Sequence, residues 1–300
     1  MDTSPGIVLR SQSGFYHVET SEGRVICQLR GKLKRDRFDG DILAVGDNVD
    51  ISIHAEGVGM IENILPRTSM LARLAPTPRG IYRQILLANV EQIVLIFACT
   101  NPDPHLRMLD RYLVIAEKQE LPVVIVFNKL DLMNIEVAES KFGHYRTIGY
   151  PLLFTSKLMG DSVEELKQRL TGKLNAFTGP SGVGKSTLLN LIQPGLGLAA
   201  REVSEGTGKG KHTTVVREMF PLPDGGFVVD TPGIKALSLW DTEPEELDGY
   251  FPELASLVAS CSFNDCTHRT EPGCAVRKAV AEGSVNPARY DSYLRLRYGE

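Results

Sequence analysis

Apolar and polar residues alternate along the start of the chain. GIVLR, FYHVET and RVICQLR each read as a half-buried strand, with Ser-Gly and Glu-Gly turns between them. DILAVGDNVDISIH and GMIENILP continue the pattern, so residues 1–67 hold five short strands. That many strands in so short a stretch predict a small barrel, most simply of the oligonucleotide-binding (OB) type. Residues 68–83, punctuated by Pro76, Pro78 and Gly80, read as a linker.

The period then changes. IVLIFACT is a continuous apolar run of strand length, and HLRMLDRYLVIAEKQE places Leu106, Leu109, Leu113 and Ala116 on one helical face. The strand PVVIVFN follows, then a helix near 134–145, the strand YPLLFTS, a helix near 162–170 and the strand KLNAFTG. FVVDTPG closes the series near residue 233. Strands alternating with helices predict a mostly parallel sheet covered on both faces, over residues 84–242. Residues 243–300 read as a separate, small α-helical unit. The expected fold class is thus α/β and multidomain.

Composition changes this picture little. A hydrophobic share of 42% with 23% charged residues is ordinary for a folded protein. A net charge of −4 speaks against a general nucleic-acid binder, though it leaves room for a local basic patch. No apolar run reaches the length of a membrane span, and MDTSPGIVLR does not have the form of a signal peptide. The expected location is cytoplasmic, with no membrane partner, and the default state is a monomer.

Candidate chemistry begins at GPSGVGKS, Gly179 to Ser186, which fits G-x-x-x-x-G-K-[ST] at every fixed position between an apolar strand and a helical stretch. Backbone N–H groups of Gly179, Ser181, Gly182, Val183 and Gly184, with Pro180 shaping the loop, and of the helix start at Thr187 suit phosphate oxygens. Lys185 would reach the β- and γ-phosphates, and Ser186 would offer its hydroxyl to Mg²⁺. Asn128, Lys129, Leu130 and Asp131 spell N-K-x-D at a strand end, where the Asp131 carboxylate can accept both the ring N–H and the exocyclic amine of guanine. Adenine offers neither donor there. Thr155, Ser156 and Lys157 end the next strand and could face guanine O6; an ordinary strand exit explains them equally well.

Asp230, Thr231, Pro232 and Gly233 spell D-x-P-G. Asp230 would hold Mg²⁺ through water and the Gly233 N–H would face the γ-phosphate. Upstream, Thr213 or Thr214 in EGTGKGKHTTV is the candidate magnesium-coordinating threonine. A small-molecule kinase or ATPase shares the phosphate loop, but N-K-x-D argues against it. Ile234 stands where many GTPases carry a water-orienting Gln, which predicts slow intrinsic hydrolysis and also keeps open a nucleotide-switched RNA-binding module with little catalysis. His212 and Asp241 are the candidates for that missing role.

Cys261, Cys266, His268 and Cys274 give C-x₄-C-x-H-x₅-C. Three thiolates and an imidazole suit tetrahedral Zn²⁺ in a closed, structural site. Cys27 and Cys99 lie in apolar runs and read as core. RGKLKRDR supplies Arg30, Lys32, Lys34, Arg35 and Arg37, which read either as a solvated loop or as phosphate contacts on an OB barrel. Phe15, Tyr16 and Phe38 are its only candidate stacking aromatics.

The motif order is guanine recognition, then phosphate loop, then D-x-P-G, a rotation of the usual one. That order, the small N-terminal barrel and the C-terminal Cys/His cluster together resemble the circularly permuted, ribosome small-subunit-dependent GTPase A family (RsgA, also YjeQ or YloQ). The resemblance spans nearly the whole chain. It implies a GTP hydrolase stimulated by the small ribosomal subunit, with GTP, GDP and rRNA as ligands. It further implies a role in late subunit maturation and in release of the assembly factor RbfA. It also implies zinc at the four Cys/His positions and RNA contact by the basic loop. Some relatives carry a histidine just after the Trp that follows D-x-P-G; here Asp241 follows Trp240.

Overall fold

The alternating segments at the start of the chain pair until no edge remains. The computed structural model describes residues 3–34, 40–55, 57–77, 80–194, 218–230 and 242–299. Strands β1 (Ser4–Gln12), β2 (Phe15–Thr20), β3 (Gly23–Leu29), β4 (Asn48–Ala55) and β5 (Val58–Ile64) form a closed barrel in the order β1-β2-β3-β5-β4. β3 and β5 run parallel and their neighbours antiparallel. Val8, Val18, Val25, Cys27, Val49, Ile51 and Ile61 fill the interior. This is the OB-type barrel that the alternation predicts.

The linker expected at 68–83 is instead largely a β-hairpin, in which β6 (Met70–Thr77) pairs antiparallel with β7 (Gly80–Ala88). Pro76 is tolerated because a two-stranded ribbon has free edges, and Leu71, Ile85, Leu86 and Leu87 supply enough buried surface to hold the pair. The barrel is pinned to this hairpin. Tyr82 Oη and the Ile85 amide both donate to the Asp41 carboxylate, and Arg67 clamps Asp47 at 2.7 Å through two nitrogens. Gly46, at φ +89°, lies so close to β7 that a Cβ would stand 2.2 Å from the Ala88 carbonyl oxygen.

The main sheet has the order β10-β9-β8-β11-β13-β12 among the described residues. Its strands are β8 (Gln92–Ala98), β9 (Val123–Asn128), β10 (Leu152–Phe154), β11 (Leu174–Thr178), β12 (Met219–Pro221) and β13 (Phe227–Asp230), all parallel except β12. Every residue of β8, β9 and β11 is buried, because helices cover both faces. Leu95, Phe97, Ile125 and Phe127 point toward α1 (Leu106–Lys118), α2 (Ile135–Phe142) and α3 (His144–Ile148). The alternate residues Val94, Ile96, Val124 and Val126 point toward α4 (Gly160–Leu170) and α5 (Lys185–Ile192). The single helix expected near 134–145 is thus two, meeting at Gly143.

The C-terminal unit comprises a 3-10 turn (Pro244–Tyr250), α6 (Pro252–Val258), α7 (Ala275–Ala281) and α8 (Pro287–Tyr298). Its core of Leu247, Phe251, Leu254, Val276, Val285 and Tyr293 takes in Val114 from α1. No helix of the described residues is long and apolar enough to cross a membrane.

Candidate nucleotide site and metal centre

Five parallel strand ends share one edge of the sheet, and the sequence motifs sit on them. Phe154 of β10 lies beside Phe127 of β9, and Asn128 beside Ala98 of β8. Across β8, Thr178 of β11 lies beside Leu95, and Phe177 lies beside Asp230 of β13. Loops leaving the carboxyl ends of parallel strands are where open α/β sheets bind ligands.

The phosphate loop leaves β11 through Gly179, at φ +153°, where a Cβ would stand 1.9 Å from the Ile96 carbonyl oxygen. Gly182 and Gly184 also have positive φ, and Gly184 caps α5. The loop therefore turns tightly into the start of α5, and loops of this kind at a helix N-terminus can offer their amides to phosphate oxygens. Lys185 Nζ donates to the carbonyls of Gly179 (2.9 Å) and Pro180 (2.7 Å), which holds the ammonium over the loop. Ser186 follows it in the first turn of α5.

Guanine and phosphate motifs are joined directly. Asn128 is 5% exposed; its Nδ2 donates to the Val183 carbonyl in the phosphate loop at 2.9 Å, and its Oδ1 accepts from Thr155 Oγ1 at 3.1 Å. One side chain thus spans 55 residues of sequence and ties three motif loops together. Lys129 adopts a left-handed backbone (φ 63°), and its ammonium donates to the Asn101 carbonyl. Asp131 is exposed, and Ser156, fully buried, donates to its Oδ1 and so fixes the carboxylate plane. Ser156 Oγ in turn accepts from the Leu158 amide at 3.1 Å. Lys157 is exposed beside them.

Asp230 ends β13 next to the phosphate loop's own strand; its side chain is outside the described residues. Thr213, Thr214, Gly233, His212, Ile234 and Asp241 also lie outside the described residues. So do Arg35, Arg37 and Phe38, and the side chain of Lys34. Of the basic stretch, Lys32 is exposed, while Arg30 donates to the largely buried Glu62, which also accepts from Ser52 at 2.9 Å. The Arg30 hydrogen bond holds Glu62 below the usual carboxylate range, against the opposing pull of burial. Arg30 thus has a structural partner that its sequence neighbourhood does not reveal. Phe15 stands 46% exposed on the barrel.

Cys261, Cys266, His268 and Cys274 converge, with their ligand atoms all within 4.8 Å of one another. His268 Nδ1 lies 3.6 Å from Cys261 Sγ and 3.4 Å from Cys274 Sγ. Zn–S of about 2.3 Å and Zn–N of about 2.0–2.1 Å in a tetrahedron demand N–S edges of about 3.5 Å, so the cluster could hold a zinc ion. Burial pushes the Cys266 thiol up to about 12, so an incoming metal must displace its proton. The opposite ring nitrogen, Nε2, faces Asp248 Oδ2 at 3.1 Å, which fixes the tautomer that presents Nδ1 to a metal. Asp248 was not legible in sequence: it is one of three acids in the turn PEELDGY, and only folding selects it. Glu271 organises the loop between the ligands, accepting the amides of Thr267, Arg269 and Thr270, each at 2.9 Å, and the Thr267 hydroxyl.

Residues 64–240 match the family model of the RsgA GTPase, and residues 5–61 match that of the RsgA N-terminal domain. The chain belongs to the RsgA GTPase family. It is 45% identical to the small ribosomal subunit biogenesis GTPase RsgA of Gemmatimonas aurantiaca, over 98% of this chain and 97% of that one. Identity is also 45% to the protein of the same name from Moorella thermoacetica, over 96% and 94% of the two chains. Among solved structures, YjeQ from Thermotoga maritima superposes with a TM-score of 0.79 at 36% identity, covering 99% of this chain and 98% of that one. YloQ, described as a circularly permuted GTPase, gives 0.75 at 31%, covering 99% and 95%. The rotated motif order is therefore that of RsgA-family GTPases, and GTP hydrolysis is the family's reaction.

Proposed function

We propose that this chain hydrolyses GTP on the small ribosomal subunit and assists late maturation of that subunit. The observation that supports the reading is the Asn128–Val183 hydrogen bond, which joins the loop proposed to recognise guanine to the loop proposed to bind phosphate. The names of the full-length relatives support the ribosomal setting. By resemblance, the reading extends to release of the assembly factor RbfA.

In this reading, Asp131 accepts the two guanine donors, Ser156 orients it, and Lys157 borders the base. The loop from Gly179 to Gly184, with Thr187, wraps the phosphates. Lys185 exchanges its two loop carbonyls for phosphate oxygens and offsets charge that develops during in-line attack by water. Ser186, Asp230 and Thr213 or Thr214 would hold Mg²⁺, which when bound neutralises the β- and γ-oxygens. Ile234 cannot orient a water, so the free protein turns over slowly and the subunit completes the site. Zinc at the four Cys/His positions stabilises a unit too small to rely on its own core. Lys32 and its basic neighbours meet rRNA, and the protein acts as a cytoplasmic monomer.

GTP hydrolysis by the purified protein, alone and with small subunits, tests the reading, with Lys185→Ala as control. Stimulation of at least about tenfold, equivalent to about 1.4 kcal/mol off the barrier, should vanish in the control. Tight GTP binding without stimulation would sink the ribosomal part and leave the nucleotide site standing.

A further inference from the structure

The main sheet ends in an open edge at β10, which pairs only with β9 among the described residues. The Ile125 amide donates to the Pro151 carbonyl and the Thr155 amide to the Phe127 carbonyl, each at 2.9 Å. Alternate residues of a parallel strand bond the same neighbour, so Leu152 and Phe154 turn their N–H and C=O groups outward. Arg146 Nη2 takes up the Leu152 carbonyl at 3.2 Å. The Leu152 N–H and both backbone groups of Phe154 have no hydrogen-bond partner among the described residues. An unpaired edge of this kind is a template for another strand.

The edge lies in a trough of about 670 Å³ with a helical wall on each side. One wall carries Ile135 of α2 and Arg146 of α3; the other carries Met159, which caps α4, and Glu165 and Arg169 of α4 itself. Ile135 and Met159 are 47% and 46% exposed, and Leu158 beside Met159 reaches 72%. The charged lining is two guanidiniums against one carboxylate. Arg169 meets that carboxylate, Glu165, through an exposed contact of 3.3 Å, which carries little energy and leaves the rest of its planar fork able to accept a second partner.

We propose that β10 and its two walls dock an extended segment of a partner protein, which joins the main sheet as a further strand. Phe154 exchanges backbone hydrogen bonds with the segment. Apolar side chains of the segment cover Ile135 and Met159, and an acidic side chain meets Arg169. The unpaired groups favour a polypeptide over RNA, because a strand presents donors and acceptors at the spacing of the edge itself. The site stands whether or not the chain hydrolyses GTP.

A random heptapeptide library displayed on phage and panned against the full chain tests it, with selected peptides synthesised and titrated. Bound peptides should carry an acid among apolar residues and should slow amide exchange at Phe154 by at least about tenfold. Arg169→Glu should weaken them at least about tenfold, or about 1.4 kcal/mol, and replacing the peptide's acid by Lys should restore binding to that variant. Met159→Asp, on the apolar part of the same wall, should weaken them as well. A library that yields no binder, binders that leave the Phe154 amide unprotected, or affinities unchanged in both variants each overturn the proposal. Protection of that amide by a single-stranded uridine oligonucleotide, and not by the peptides, would make this face an RNA contact and overturn it too.

Discussion

Asp131 offers the sharpest residue-scale test, because the role proposed for it is defined by two donors that only guanine presents. Asp131→Asn replaces an acceptor by a donor that suits the C2 carbonyl of xanthine. GTP affinity should fall by at least about 100-fold, within the range for a site left with unpaired polar groups, while XTP affinity rises; competition binding checks both. Gly179 tests the loop itself. A methyl there would meet the Ile96 carbonyl oxygen at 1.9 Å, and overpacking of this kind costs about 1–3 kcal/mol. Gly179→Ala should therefore lower the urea midpoint and abolish nucleotide binding; a variant that binds normally would contradict the close approach.

Among the elements, the loop around the Cys/His cluster depends on Glu271. Burial disfavours its charge, but the Thr267 hydroxyl and the surrounding amides outweigh that and hold its pKa down to about 2, from an ordinary 4.5. A depressed carboxylate stabilises the fold fully above its unfolded value and loses that contribution as pH falls toward the folded one. The parent's stability advantage over Glu271→Gln should accordingly shrink between pH 4.5 and 2, as read by urea unfolding of both proteins at each pH. A constant difference across that window would show that the carboxylate charge is not what the loop uses. Proline and glycine at 76–80 suggested a linker, yet hydrophobic burial on the flanking segments makes a hairpin.

Across the whole molecule, a buried network locks the C-terminal unit to α1 and α3 of the GTPase domain. Arg289 and Asp110 are each 1% exposed and bonded at 2.7 Å, and Arg289 also donates to Glu253 at 2.7 and 3.2 Å. Tyr145 completes Asp110 at 2.8 Å, and the guanidinium lies 4.4 Å from the Phe251 ring centre. Removing the cation strands two carboxylates, so Arg289→Met should cost about 3–5 kcal/mol, whereas Asp110→Asn, which keeps an acceptor for both donors, should cost less. Equilibrium unfolding measures both, and an equal loss in the two variants would mean that charge is not the issue.

Much of the candidate site was legible because its motifs depend on local chemistry. A phosphate loop needs its glycines at fixed spacing, N-K-x-D needs its carboxylate at a strand end, and four residues that could ligate a metal advertise themselves by type. Alternation likewise set the barrel strands, and continuous apolar runs set the buried sheet. What the sequence could not express were contacts between distant segments. Asp248 behind His268, Glu62 beneath Arg30, Asn128 bonded to Val183 and the Arg289 network all join residues whose partners are fixed by packing. A polar side chain carries no mark of which distant group it will face; only the tertiary structure brings the two together and excludes water from between them.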